Sequence, residues 1–449
     1  MKRNVIVAQS GGPSPVINAS LQGIIEACLD YPDRFKNIYA ARHGVEGILL
    51  EELIDVGSQD RKEIGLLKTT PAAGVVGTCR YKLKEGQEED FRRIIDVFRA
   101  HDVGFFFYIG GNDSMDTAHK VSELARSQDY DLTAVGVPKT IDNDLGDEDF
   151  TIIDHTPGYG SAARYWAYII QNVNEENRGM CVSEPVSVLQ AMGRTAGYIP
   201  AAARLADPER EMPLQLYLAE TDHNLETLAE NVNAELARSG RCIAVVSEGF
   251  NVGSLGERHD GFGHIEYGAS RQTVAQTVVN YLNDHGLAVR GQATGQVPGV
   301  LQRGTSLYAS GVDIEEAYQV ARKAVEIAID EGGGFMATIL RKGGTMQSVA
   351  QGAEYKPVFE KVPLEKVANS VRHLPPEWIS DGGLDVTDDF IHYARPLIGN
   401  GNPDIKIENG LQRFARFEMT LADKNLSDYV PVRFRETSGQ DWPPVRKDT

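Results

Sequence analysis

Cysteine is scarce in this chain. Its four copies, Cys28, Cys79, Cys181 and Cys242, stand far apart in 449 residues, without metal-site spacing or a disulfide framework, so reduced thiols are expected. No apolar run approaches the length of a membrane-spanning helix. Met1-Lys2-Arg3-Asn4 leads directly into a strand-like stretch and not into the apolar core of a secretory signal, which points to a cytoplasmic protein with no membrane partner. Low-complexity tracts and a clear long internal repeat are also missing, which, with alternating strands and helices, argues for doubly wound α/β layers. Basic residues are in deficit, with 45 Lys and Arg against 64 Asp and Glu and a net charge of -19. A surface of that sign repels a phosphate backbone, so no nucleic-acid partner is expected.

What is present is an alternation of strands and helices long enough for two or three domains. Segments 5–8, 37–41, 103–109, 132–137, 185–189 and 242–246 read as buried strands. Ile17, Leu21, Ile24 and Cys28, then Phe91, Ile94, Ile95 and Phe98, then Ala162, Tyr165, Ile169 and Val173 recur at helical spacing. Polar chemistry collects where strands end. After 132–137, Pro138 cannot donate to a sheet ladder, and the chain delivers Lys139, Thr140, Ile141, Asp142, Asn143 and Asp144 to the carboxyl edge, where open α/β sheets bind ligands. One cation beside several oxygen donors is a composition suited to phosphoryl transfer. Gln9-Ser10-Gly11-Gly12-Pro13 forms a glycine turn between a strand and a helix, a phosphate cradle. Gly110-Gly111-Asn112-Asp113-Ser114 follows the strand at 103–109. Each segment taken singly is also ordinary turn composition; their joint occurrence carries the reading. Arg80, Lys139, Arg194 and Arg303 all fall in such loops, where a few cations can focus a positive field inside an acidic protein.

Ser10-Gly11-Gly12, Gly77-Thr78-Cys79-Arg80, Gly110 to Ser114, Thr140 to Asp144, Met192-Gly193-Arg194, Ser247-Glu248-Gly249 and Gln302-Arg303-Gly304 occur in the order of the phosphofructokinase family, which this chain resembles over roughly residues 4 to 340. The resemblance implies two doubly wound, Rossmann-like, three-layer α/β domains plus a C-terminal extension. A donor domain would span 1–153, completed by part of 302–345; a sugar-phosphate domain 154–301; and the extension 346–449, to which no chemistry is assigned. It further implies reversible transfer of a phosphoryl group to the 1-hydroxyl of fructose 6-phosphate. The donor can be read at two positions. ATP-using members carry glycine where this chain has Asp113 and Lys139, the pattern of the pyrophosphate-dependent members. A carboxylate at the first place adds bulk and like charge against a nucleotide's α-phosphate, whereas a lysine at the second suits a small, highly charged donor. An ATP-dependent enzyme and a catalytically silent regulatory subunit are the alternatives.

Carried over residue by residue, the resemblance makes Asp142 the base, with Lys139 and Arg80 assisting the chemistry. Gly11, Gly12, Gly111, Asp113, Ser114 and Lys139 would hold and select the donor. Thr140, Ile141, Asp142, Met192, Gly193, Arg194, Glu248, Val300 and Arg303 would line the sugar-phosphate pocket. Mg²⁺ would be held by Asn112 and Asp144 together with substrate phosphates, and a homo-oligomer, a dimer above all, is expected. The chain departs from the family pattern at Asn112, which stands in place of an aspartate, and at Pro185, Thr294 and Val300, which replace two arginines and a histidine of the sugar-phosphate pocket. Arg178 and Arg290 are candidate replacements.

Overall fold

The computed structural model describes residues 2–83, 86–256, 258–260, 263–368 and 370–435. Two sheets carry the architecture, built from β1 Arg3–Gln9, β2 Phe35–Ala41, β3 Leu53–Asp55, β4 Val103–Gly110, β5 Thr133–Pro138, β6 Val186–Ala191, β7 Leu214–Tyr217, β8 Cys242–Ser247, β9 Ala293–Gln296, β10 Phe335–Arg341 and β11 Pro357–Pro363. The larger sheet has the order β11-β10-β5-β4-β1-β2-β3 and the smaller β7-β8-β6-β9. Interior strands of the large sheet pair in parallel, and β3 and β11 close its edges antiparallel. The small sheet is parallel throughout.

Parallel strands must be covered on both faces, which is why their sequences are nearly continuous apolar runs. In the large sheet, helices Ile17–Asp30 and Gly311–Asp330 pack one face and Glu88–Ala100 with Asn112–Ser127 the other. In the small sheet, Tyr159–Met180 lies on one face and Leu225–Ser239 with Val274–His285 on the other. Local chemistry sets several helix ends. Asn224 and Thr227 form a reciprocal cap at the start of Leu225–Ser239, and Gly240 at φ 79° closes it in the left-handed region. Ser310 caps Gly311–Asp330 by accepting from Asp313 N.

The strands and helices expected from periodicity are present, with ends displaced by a few residues. Residues 346–435 form no separate layer. β11 completes the large sheet, Trp378, Phe390 and Tyr393 join the core under Tyr159–Met180, and Ala415 and Phe417 join that of the large sheet. The chain crosses between the sheets after β5 and again after β9. Both crossings lie at strand carboxyl ends, and a cleft of about 310 Å³ opens between them.

Candidate active site

Three strand ends of the large sheet form one wall of the cleft. After β1, Gly11 takes φ 77°, and its N–H donates to Cys79 O at 3.0 Å. A Cβ on Gly12 would stand 2.3 Å from Arg303 Nη1 and 3.4 Å from Arg80 Nη2. Glycine at position 12 therefore lets the Arg303 guanidinium close on the turn, with that of Arg80 in ordinary contact beside it. After β4, Asn112 Oδ1 accepts from Asp113 N at 2.9 Å, and its amide nitrogen donates to Ser370 O at 3.0 Å. Those bonds hold the start of helix Asn112–Ser127 and direct the Asp113 carboxylate to Lys82 at 2.5 Å. After β5, Lys139 N donates to Gly110 O, tying the two strand ends together.

Lys139 is only 4% exposed, and its Nζ donates to Gly12 O at 2.6 Å. Burial, followed by the neighbouring Arg303, Arg80 and Arg194 charges, pushes its ammonium down to about 7 against the pull of Asp142. Thr140 Oγ1 accepts from Asp142 N at 3.1 Å, and Asn143 sits at φ 58°, a conformation asparagine tolerates better than most residues. The left-handed step separates Asp142 from Asp144, and Arg194 spans both, Nε to Asp142 Oδ2 at 3.1 Å and Nη2 to Asp144 Oδ2 at 2.6 Å. Burial raises the Asp144 carboxyl, opposed by Arg194. Burial would lower Arg194, but Asp144 and Asp142 carry it upward.

The small sheet supplies the opposite wall. Glu248, after β8, accepts from Gly193 N at 3.2 Å and Arg194 N at 2.9 Å through Oε1. Burial, then Asp142, raises it to about 7. Gln302 Oε1 accepts from Met192 N at 3.1 Å and from Trp166 Nε1 at 2.9 Å, which fixes the base of the Met192 loop. Arg303 is lowered by burial and by Arg80, and its Nε is buried with no hydrogen-bond partner among the described residues. A buried, unmet guanidinium donor beside a second arginine and a lysine is a receptor for an anion.

Nearly all the residues expected from sequence line this cleft: Gly11, Gly12, Arg80, Gly111, Asn112, Asp113, Ser114, Lys139, Thr140, Ile141, Asp142, Asp144, Met192, Arg194, Glu248, Val300 and Arg303. Gly193 does not, and serves the site through the backbone N–H held by Glu248. Val300 is 62% exposed on the rim. The proposed replacement cations are elsewhere, since Arg178 pairs with Glu175 on its own helix and Arg290 is exposed. Sequence reasoning missed Asp260 and His264, which also line the cleft. Asp260 accepts from Arg80. Nothing in the local sequence marks these two among the Gly-rich and charged residues of that loop. For a metal, Asp144 offers a carboxylate, while the Asn112 oxygen already accepts from Asp113. Among the described residues no group of three His, Cys, Asp or Glu forms a cage.

Comparison with known proteins places this geometry among relatives. A profile described as "Phosphofructokinase" matches residues 4–328. A pyrophosphate–fructose 6-phosphate 1-phosphotransferase of Halomonas elongata is 37% identical over 437 residues, covering 95% of this chain and 99% of its own. One of the same name from Methylococcus capsulatus is 39% identical over 407 residues, covering 88% and 91%. The crystal structure of a pyrophosphate-dependent phosphofructokinase from Nitrosospira multiformis superposes with a TM-score of 0.84 at 35% identity, covering 95% of this chain and all of that one.

Proposed function

Because the chain belongs to the phosphofructokinase family, we propose that it transfers a phosphoryl group reversibly from pyrophosphate to the 1-hydroxyl of fructose 6-phosphate, giving fructose 1,6-bisphosphate and phosphate. The observation that carries the donor choice is the pair Asp113 and Lys139. Asp113 puts a carboxylate at the donor end of the cleft, where a nucleotide's further phosphate would meet like charge and bulk. Lys139 is locked 2.6 Å from Gly12 O, at the turn that would cradle the donor. Arg80, Lys139 and Arg303 converge there, so charge developing on the transferred group meets fixed cations and no solvent reorganisation is needed.

Asp142 would take the proton of the sugar hydroxyl. Arg194 occupies its Oδ2, and Oδ1 has no hydrogen-bond partner among the described residues. Glu248 would accept from sugar hydroxyls through the oxygen not committed to Gly193 and Arg194. The large sheet with its return strands would carry the donor and the small sheet the sugar. Mg²⁺ suits a site offering one carboxylate, Asp144, with the remaining ligands from phosphates and water; when bound it would neutralise the donor's charge. We also infer a cytoplasmic homodimer. Exposed Val297 and Val300 on the cleft lining, with exposed Leu301 and Leu307 nearby in sequence, support a second copy at this side of the molecule.

The purified protein, given fructose 6-phosphate and Mg²⁺, should turn over with pyrophosphate and show almost no turnover with ATP. Equal use of both would defeat the donor assignment, and turnover with neither would favour a silent regulatory subunit.

A further inference from the structure

The segment between β8 and helix Val274–His285 reaches from the small sheet to the donor wall, and the proposed chemistry leaves it without a role. Within it, described residues on either side of 261–262 brace one another. His259 and Ile265 form an antiparallel bridge, Asp260 N donates to His264 O at 2.9 Å, and Asp260 Oδ1 accepts from His264 N at 3.1 Å. The second Asp260 oxygen accepts from Arg80, so the turn is anchored to the donor side by an ion pair. The bracing holds the His264 ring between Arg194 and Asp113. Nδ1 lies 3.2 Å from Arg194 Nη1, and Nε2 lies 3.5 Å from Asp113 Oδ2.

The tautomer follows from the partners. A guanidinium has protons to give and no lone pair to offer, so Nδ1 accepts from Arg194. The proton of a neutral imidazole then resides on Nε2, the nitrogen facing the Asp113 carboxylate. Asp113 is thereby held from two directions, by Lys82 through Oδ1 and by His264 opposite Oδ2. Arg194, at the other end of the ring, holds Asp142 and Asp144. One side chain of this segment thus bridges the residue that reads the donor and the residue that holds the catalytic aspartates.

We propose that His264 is a positioning residue that couples the sugar pocket to the donor pocket, orienting Asp113 only while its other nitrogen is engaged by Arg194. The inference rests on the function proposed above, in which Asp113 selects the donor and Arg194 serves the sugar side. Sugar phosphate that adjusts Arg194 then changes how firmly Asp113 is held, and by reciprocity pyrophosphate affects the sugar site.

Two near-isosteric variants separate the halves of the bridge. His264→Asn keeps an acceptor near the Nδ1 position and has nothing at Nε2; His264→Gln reaches the Nε2 position with an amide N–H and lacks the Nδ1 acceptor. With thermal unfolding matched to the parent, the first should raise KM for pyrophosphate about 10-fold and leave that for fructose 6-phosphate near parental. The second should do the reverse, since the first loses the close polar contact with Asp113 and the second the hydrogen bond from Arg194. In the parent, KM for pyrophosphate should depend on fructose 6-phosphate concentration, and both variants should lose that dependence. Two KM values that move together, a kcat loss with both unchanged, or parental behaviour in both variants would overturn the proposal. A parent without pyrophosphate-dependent turnover would remove the proposed function, and this inference with it.

Discussion

At the scale of single residues, the site is governed by charge placed out of water. Lys139 is the sharpest case, because burial and three arginines bring its ammonium to about 7. In the free protein its charge is therefore complete below that value and lost as the pH rises through it. Pyrophosphate would restore the charge by placing anions beside it. We expect kcat/KM for pyrophosphate to fall above pH 7 by about tenfold per pH unit, and pyrophosphate binding at pH 8 to take up protons in calorimetric titrations across buffers of different ionisation enthalpy. Lys139→Arg, whose guanidinium stays charged, serves as the control for the substrate's own ionisation. Its profile should lose the Lys139 limb, and a limb of equal steepness in both proteins would place the titration elsewhere.

At the scale of elements, the loop between β5 and helix Tyr159–Met180 is shaped by the distant helix Asp388–Ala394 and the segment before it. Arg372, fully buried, donates to Asn143 O, to Asn143 Oδ1 and to Ile153 O. Tyr393 donates its hydroxyl to Asp154 O at 2.9 Å and accepts from Asn143 Nδ2 at 2.8 Å. These bonds hold the left-handed residue that separates Asp142 from Asp144. The part of the chain without an assigned chemistry therefore positions the loop that carries the proposed base, Asp142. Tyr393→Phe should cost about 1–3 kcal/mol in denaturant unfolding, since it strands a buried amide and a buried carbonyl. It should also lower kcat while leaving both KM values close to parental. An unchanged kcat would mean that Arg372 alone suffices to hold Asn143.

At the scale of the whole molecule, the tail returns to the sheet where the chain began. Asp55 N donates to Thr420 O and Ala422 N to Leu53 O, which extends the hydrogen bonding beyond β3. The fully buried Glu51 carboxylate accepts from Asn425 N at 2.9 Å and Leu426 N at 3.1 Å, besides His101 and Arg93. A chain ending at residue 410 should lose more than ~3 kcal/mol of unfolding free energy, from ~1 kcal/mol per hydrogen bond together with the exposed Phe417 core. Denaturation midpoints close to those of the full chain would show the tail to be a passive cover. Much of this architecture was legible beforehand, because it is written in local terms. Strand periodicity, the glycine turn after β1 and the cluster from Pro138 to Asp144 are short-range patterns whose geometry follows from their own residues. They determined the α/β class and named the wall that carries Lys139, Asp142 and Asp144. The closeness of Arg303 to Gly12, the partners Asp260 and His264 for Arg80 and Asp113, the depressed lysine, and the tail's grip on Glu51 and Asn143 were decided only by tertiary structure. Arg80 and Asp260 lie 180 positions apart. Desolvation and through-space charge depend on what packing brings near and what water it removes, and neither is a property of neighbours along the chain.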